Sequence, residues 1–147
     1  CHAAAAHMLT RKRGAAGTES AGCVPLQAAR GHIVLIASAA GQRGEAGHAD
    51  YATSKGAIIA LTKTLSAELA PLGIYANCVA PGWTSTEMSA SAFATPEVAT
   101  QNLAHVPLGR PAHVDEVAGP ILFLCTPYAG FISGEIFNVN GGAVLAG

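Results

Sequence analysis

Charge is scarce in this 147-residue sequence: Asp, Glu, Lys and Arg make up 12% of it and the net charge is -1. Such a chain offers no electrostatic footprint for a nucleic-acid backbone. Its one basic cluster, Arg11, Lys12 and Arg13, is short and follows an Ala-rich stretch, where cations suit the C-terminal end of a helix dipole. The four cysteines (Cys1, Cys23, Cys78 and Cys125) are scattered, with no CxxC pair and no His at zinc-finger spacing. That pattern indicates neither a disulfide framework nor a metal site, and fits reduced thiols in a cytoplasmic protein. Long apolar runs are missing too. The longest, IVLIASAA at 33–40 and PILFLC at 120–125, fall well short of the roughly 20 residues a bilayer-spanning helix needs. No basic segment precedes an apolar one at the start, so no signal peptide is expected, and the absent initial Met suggests a piece of a longer chain.

What is present is apolar and small. Half of the residues are hydrophobic and 17 are Gly, a composition suited to a buried sheet under closely packed helices. The length fits one domain, or part of one. Residues 1–13 read as the end of a helix, and GAAGTESAG as a turn-rich loop. HIVLIAS (32–38) is apolar at almost every position, as in a strand buried on both faces of a parallel sheet. A Gly-rich loop (39–50) leads to a helix over about 50–70, in which Ile58, Leu61, Leu65 and Leu69 share a helical period, ended by Pro71 and Gly73. IYANCVAP (74–81) reads as a second strand, and a short helix follows near Pro96. VDEVAGPILFLC (114–125) reads as a further helix with Asp115 and Glu116 in its first turn, and GEIFNVNGG (134–142) as a third strand. This alternation predicts an α/β fold: a parallel sheet of about three strands with helices on both faces.

Chemistry concentrates at one predicted rim. In YATSK, Tyr51 and Lys55 stand four apart and share a helix face. A phenol of ordinary pKa near 10 is a poor proton carrier at neutral pH, and a neighbouring ammonium favours its phenolate. An exposed helix-face pair would show the same spacing. Ser38 ends the first strand, where open α/β sheets build their sites and a hydroxyl can support charge developing on a substrate oxygen. A strand-end serine bonded to its own backbone is the plain alternative. PGWTSTEM (81–88) follows the second strand, so Pro81 and Gly82 bring a turn, and Thr84, Ser85 and Thr86 bring polar groups, to the same edge. Trp83, the single tryptophan, suits stacking on a flat ring or core packing equally.

The succession LIAS, YATSK, NCVAPGWTSTEM, VPLGRPAHVDEVAGPILFL and ISGEIFNVNGG resembles, from about residue 31 to the end, the classical short-chain dehydrogenase/reductase family. The likeness is greatest to the branch of 3-oxoacyl-[acyl-carrier-protein] reductases and sugar or polyol dehydrogenases. It implies an oxidoreductase that moves a hydride between NAD or NADP and a carbonyl or secondary alcohol. By the same resemblance Ser38 would orient the carbonyl, Tyr51 would exchange the proton, and Lys55 would support the phenolate and bind nicotinamide ribose. Pro81, Gly82, Trp83, Thr84 and Thr86 would line the nicotinamide and phosphate side. A homo-oligomer, dimer or tetramer, is implied as well.

Only the second half of such a Rossmann-like doubly wound domain is recognisable, so residues 1–147 are expected to form a single partial domain lacking the TGxxxGxG phosphate loop and the residue that selects NAD or NADP. Gly41, Gly44 and Gly47 do not replace that loop: their GxxGxxG spacing lacks the tight first turn of a dinucleotide fingerprint, and the segment reads as active-site scaffolding. Segment 14–30 is longer than the corresponding family turn. Asn140 stands where Asp is common, and Ala37 where a second Ser is common. His48 and Asp50 flank Tyr51 as loop polarity or substrate contacts, while His32, His105 and His113 read as surface or capping residues. The loop 84–100, with Ala90, Ala92, Phe93 and Ala94, reads as a lid over a modest, partly apolar substrate. A serine hydrolase is excluded, because a nucleophile elbow needs Gly where Ile36 and Ala40 stand. A noncatalytic oligomerisation module remains the alternative.

Overall fold

A computed structural model describes residues 2–11 and 29–145. Three strands, β1 (Gly31–Ile36), β2 (Ile74–Pro81) and β3 (Ile136–Val139), form one sheet in the order β1-β2-β3, with both pairs parallel. The register sets Ile36 against Val79 and Pro81 against Val139, so β1 and β2 end at one rim. Among the described residues five α-helices surround them: α1 (His2–Leu9), α2 (Ala39–Arg43), α3 (Ala49–Leu69), α4 (Pro96–Leu103) and α5 (Val114–Leu124).

β2 is the buried centre. Ile74, Ala76, Cys78 and Ala80 have no exposure on one face, and Val79 has none on the other. Cys78 and Ala80, with Ala37, pack against Ile58 and Ile59 of α3. Val79 packs with Leu124, beside Val117 and Ile121 of α5. Burying a side chain of Leu124's size stabilises by about 2 kcal/mol. Helices therefore cover both faces, the doubly wound α/β arrangement that the strand–helix alternation predicts.

Several expectations need correction. β1 is not buried on both faces: it pairs with β2 alone among the described residues, so His32 to Leu35 are only half-buried and Ile36 is exposed. Leu61 does not join the inner stripe of α3. It is 42% exposed, and the fully buried position of that turn is Thr62, whose hydroxyl donates to the Ile58 carbonyl at 2.8 Å. The Gly-rich loop contains α2. His32 is neither a surface nor a capping residue; its ring meets Tyr75 edge-on at 5.8 Å, and burial lowers its pKa from the ordinary 6.5. His113 does cap, its Nδ1 accepting from the Asp115 amide at the start of α5. The readings for Cys1, Lys12, Arg13, Cys23 and most of segment 14–30 fall outside the described residues.

Candidate active site

Ser38 follows β1, which stays tied to β2 as far as the Ala37 amide, 2.8 Å from the Val79 carbonyl. Its backbone is extended (φ -165°, ψ 155°), and its Oγ accepts from the Ala40 amide at 3.2 Å, capping α2. That is the local bond a strand-end serine was expected to make, yet it also fixes the hydroxyl at the rim. α2 is then held from two sides. Gly41 lies so close to α3 that a β-carbon there would sit 2.6 Å from the Lys55 carbonyl carbon. Gln42 donates from Nε2 to Asn138 Oδ1 of β3 at 2.8 Å.

Tyr51 lies in the first turn of α3, 45% exposed, with Lys55 one turn further on. The Lys55 Nζ stands 5.7 Å from the centroid of the Tyr51 ring, within cation–π range. It also donates to the Ile36 carbonyl at 3.0 Å. Residues 36 to 41 are thus joined to Lys55 twice, through its ammonium and through its main chain, and Ser38 lies between those two contacts. The structure brings Ser38, Tyr51 and Lys55 to one rim.

The 81–86 segment reaches the same end of the sheet. Pro81 completes β2. Gly82 is required by close approach, since a β-carbon there would meet Asn140 Cα at 2.9 Å. Trp83 stacks edge-on against Phe93 at 5.6 Å and borders a cleft of about 420 Å³ shared with Leu108, Arg110, Glu116, Asn138 and Asn140. Thr84 is bridged to Ala112: the Ala112 amide donates to the Trp83 carbonyl, and the Ser85 amide to the Ala112 carbonyl, both at 2.9 Å. Thr86 is exposed and turns its Oγ to Ser89 at 3.3 Å, opening the 3₁₀ turn Glu87–Phe93. The region expected as a lid is therefore folded: Asn102 Nδ2 holds the Ala92 carbonyl at 2.9 Å, and α4 follows.

Several contributors leave little or no mark in the sequence. Gly41 and Gln42 sit in a Gly-rich loop whose residue pattern marks neither as a packing contact. The Ile36 carbonyl is a backbone group that no side-chain pattern marks. Arg110 and Glu116 form a bidentate pair with both N···O distances 2.7 Å. Arg110 and the His113 amide hold the Glu116 carboxyl down to about 2. For Glu116 a signal existed, an acid three residues after the capping His113, but it reads equally as a dipole partner.

The residues present fit the nicotinamide end of a dinucleotide. Tyr51 is open to solvent, and Lys55 retains N–H donors beyond its bond to Ile36. Nothing among the described residues supplies a phosphate loop after a strand; Gly44 and Gly47 have positive φ and open surroundings, but sit before α3 at the wrong spacing. Among the described residues no cluster of His, Cys, Asp or Glu suits a metal ion, and no helix is long and apolar enough to cross a membrane.

A sequence model described as enoyl-(acyl carrier protein) reductase matches residues 15–144. The chain is 42% identical over 112 residues to the 3-oxoacyl-[acyl-carrier-protein] reductase of Aquifex aeolicus, an alignment covering 76% of this chain and 44% of that protein. With the Synechocystis 3-oxoacyl-[acyl-carrier-protein] reductase it shares 40% identity over 129 residues, 87% of this chain and 50% of the relative. The chain therefore spans about half the length of the curated relatives it matches. Among solved structures, a protein from Beutenbergia cavernae assigned as an NAD(P)-dependent gluconate 5-dehydrogenase, with NADP bound at low occupancy, is 37% identical with a TM-score of 0.73. The match covers 76% of this chain and 45% of that one. A protein from Agrobacterium tumefaciens assigned as a 2-deoxy-D-gluconate 3-dehydrogenase, with NADP bound, is 33% identical with a TM-score of 0.74, over 76% of this chain and 46% of that one.

Proposed function

The chain belongs to the short-chain dehydrogenase/reductase family, and from that premise we propose that it carries the substrate-side half of an NAD(P)-dependent oxidoreductase domain, acting on a carbonyl compound or the matching secondary alcohol. The observation that carries this reading is the Lys55 ammonium lying 5.7 Å over the Tyr51 ring, with Ser38 on the same rim. When bound, the nicotinamide gives or takes the hydride; the chain supplies alignment and proton handling. Tyr51 holds the proton exchanged with the substrate oxygen, with the Lys55 ammonium beside its ring. The Ser38 Oγ donates toward the same oxygen, which opposes the build-up of negative charge there. The Lys55 N–H groups not engaged with Ile36 bind the nicotinamide ribose. Pro81, Gly82, Trp83, Thr84 and Thr86 form the wall against the nicotinamide and its phosphate.

The named relatives point to two substrate classes, a 3-oxoacyl thioester or a sugar or polyol. The small and apolar Ala90, Ala92 and Phe93 of the folded lid favour a modest, partly apolar molecule. A cytoplasmic location belongs to the same reading, with Cys78 and Cys125 as free thiols. A homo-oligomer does too. Leu122, Tyr128 and Phe131 are 69%, 76% and 105% exposed, an apolar surface that favours association. That surface equally supports the second reading, an oligomerisation module that binds no cofactor.

Calorimetry with NADP and NAD, followed by turnover assays on both substrate classes, separates the two. In a protein that turns over, Tyr51→Phe is expected to lower kcat by roughly 10²- to 10⁴-fold with the fold intact, because it removes a positioned acid–base group. Unchanged turnover in that variant removes Tyr51 from the mechanism. Absence of nucleotide binding by the folded protein leaves the interaction module.

A further inference from the structure

We propose that the exposed Arg110–Glu116 ion pair is a positioning device for the segment Trp83–Ser85, and through it for the nicotinamide end of the cofactor. The inference rests on the reading above that places the cofactor against residues 81–86.

Glu116 stands in the first turn of α5, and α5 is anchored to the sheet through Val117, Ile121 and Leu124 against Val79. Its carboxylate takes three hydrogen bonds. Arg110 donates from Nη1 and Nη2 at 2.7 Å each, and the His113 amide donates at 2.8 Å. Arg110 Nη1 also reaches the Pro111 carbonyl at 3.1 Å. One side chain on a rigid helix thereby grips both ends of the stretch 110–113. Between those grips lies Ala112, whose amide holds the Trp83 carbonyl and whose carbonyl holds the Ser85 amide. The Trp83 carbonyl and the Ser85 amide, on either side of Thr84, thus share one partner that the ion pair fixes in place, while the Gly82 amide on Val139 and Ser89 Oγ on the Thr84 carbonyl hold the neighbouring groups.

The pair is poorly placed to hold the whole fold together. Its side chains are 54% and 45% exposed, and solvent-exposed ion pairs add little to global stability even when well formed. The bidentate geometry instead restricts direction, which is what a positioning contact requires. Arg110 and Glu116 also border the cleft that Trp83 lines, so a displaced 110–113 stretch alters the wall of the site as well as its backbone.

The test compares Glu116→Gln, Arg110→Gln and Arg110→Lys with the unaltered protein. Glu116→Gln keeps an acceptor for the His113 amide, so it removes the ion pair and spares the helix cap. Amide hydrogen exchange at Ser85 and Ala112 is expected to quicken by roughly tenfold or more in both Gln variants, as local opening at those bonds becomes easier, while Tm moves little. NADP affinity, by calorimetry, is expected to fall by about tenfold, with KM for the nucleotide rising more than kcat falls. Arg110→Lys keeps the charge but not the two-nitrogen fork, and is expected to recover part of both effects. Unchanged exchange at Ser85 and Ala112 overturns the positioning role. Faster exchange with unchanged NADP affinity overturns the coupling to cofactor. An unaltered protein that is folded and protected at these amides, yet binds no NADP, overturns the reading of the site and this coupling with it.

Discussion

Gly41 and Lys55 are in backbone contact: a β-carbon at position 41 would lie 2.6 Å from the Lys55 carbonyl carbon and 2.8 Å from the Gly56 nitrogen. Two helices that share no strand are pressed together here, and the contact sets the distance between the serine that caps α2 and the lysine of α3. Gly41→Ala forces α2 off α3. Overpacking of this kind costs about 1–3 kcal/mol, and the modest helix-propensity gain of Ala does not offset it. A lowered urea midpoint and a loss of turnover beyond that explained by unfolding are expected. Gly56→Ala is the control. Its β-carbon would meet only the Gly41 carbonyl oxygen, at 3.4 Å, so Ala in the middle of α3 is expected to be tolerated or to stabilise by up to about 1 kcal/mol. Equal losses from the two changes would contradict the packing argument.

Asn77 staples the sheet from inside. Only 1% exposed, it donates from Nδ2 to the Ile132 carbonyl at 2.9 Å and accepts at Oδ1 from the Glu135 amide at 3.0 Å. Those two groups belong to the turn that feeds β3, the strand carrying Asn138 and leading to Asn140. Asn77→Ala removes both bonds from a buried position and leaves the Ile132 carbonyl and the Glu135 amide to partly exposed surroundings, at about 1–3 kcal/mol in all. Chemical denaturation checks it. A loss below 1 kcal/mol means water reaches the turn and replaces the amide.

Much of this arrangement is legible in the sequence because it follows from short-range pattern. β2 runs over Ile74–Pro81, the range its apolar run marks, and α5 covers all but the last residue expected of it. Ser38, Tyr51 and Lys55 come together because a strand end and a helix start are adjacent in an α/β unit, which spacing alone anticipates. Burial is less legible. An apolar run tells that a strand can be covered on both faces, yet not which strands flank it, and so β1 reads like β2 while only β2 is enclosed. Leu61 fails for a related reason: a hydrophobic stripe ranks residues by type, whereas α3 turns the smaller Thr62 to the core because its hydroxyl finds the Ile58 carbonyl. Least legible are contacts between backbones, such as Gly41 on Lys55 and Ala112 on Trp83, which leave no mark in side-chain chemistry.

Two groups set opposite ends of the pH response, and both weaken the fold in acid. Burial keeps the His32 imidazole below its ordinary 6.5, and its Nδ1 has no partner among the described residues. The unfolded chain therefore takes up a proton at His32 near pH 6.5 while the folded chain resists it, so stability falls as pH drops below that value. Glu116 acts in a lower window. Its folded pKa of about 2 lies beneath the ordinary 4.5, so the stability its ionised form contributes is present above pH 4.5 and is lost as pH falls toward 2. Tm measured from pH 8 to pH 3 is expected to show the first decline reduced in His32→Phe; the second is small, because solvent screens the exposed Arg110–Glu116 pair, and it is absent in Glu116→Gln. A first decline that survives unchanged in His32→Phe would reassign it to another group.

The contact between Gln42 and Asn138 is unequal, and the inequality predicts which partner can be changed. Gln42 Nε2 donates to Asn138 Oδ1 at 2.8 Å, while Gln42 Oε1 is buried with no partner among the described residues. Removing Asn138 as Ala leaves both polar atoms of Gln42 without protein partners, at a cost of about 1–3 kcal/mol for the newly stranded donor. Replacing Gln42 by Met, of similar length and flexibility, deletes the orphaned acceptor together with the donor, and Asn138 keeps its access to the cleft it lines. The lost hydrogen bond, worth about 1 kcal/mol net, is then offset by the polar atom no longer buried unpaired. Gln42→Met is accordingly expected to lie near neutral, Asn138→Ala to be clearly destabilised, and the double variant to resemble Gln42→Met more than the sum of the two. Urea titrations of all three close the cycle. An additive result would mean that the two amides act independently, and that the packing of Gly41 on α3 holds α2 in place without this bond to the sheet.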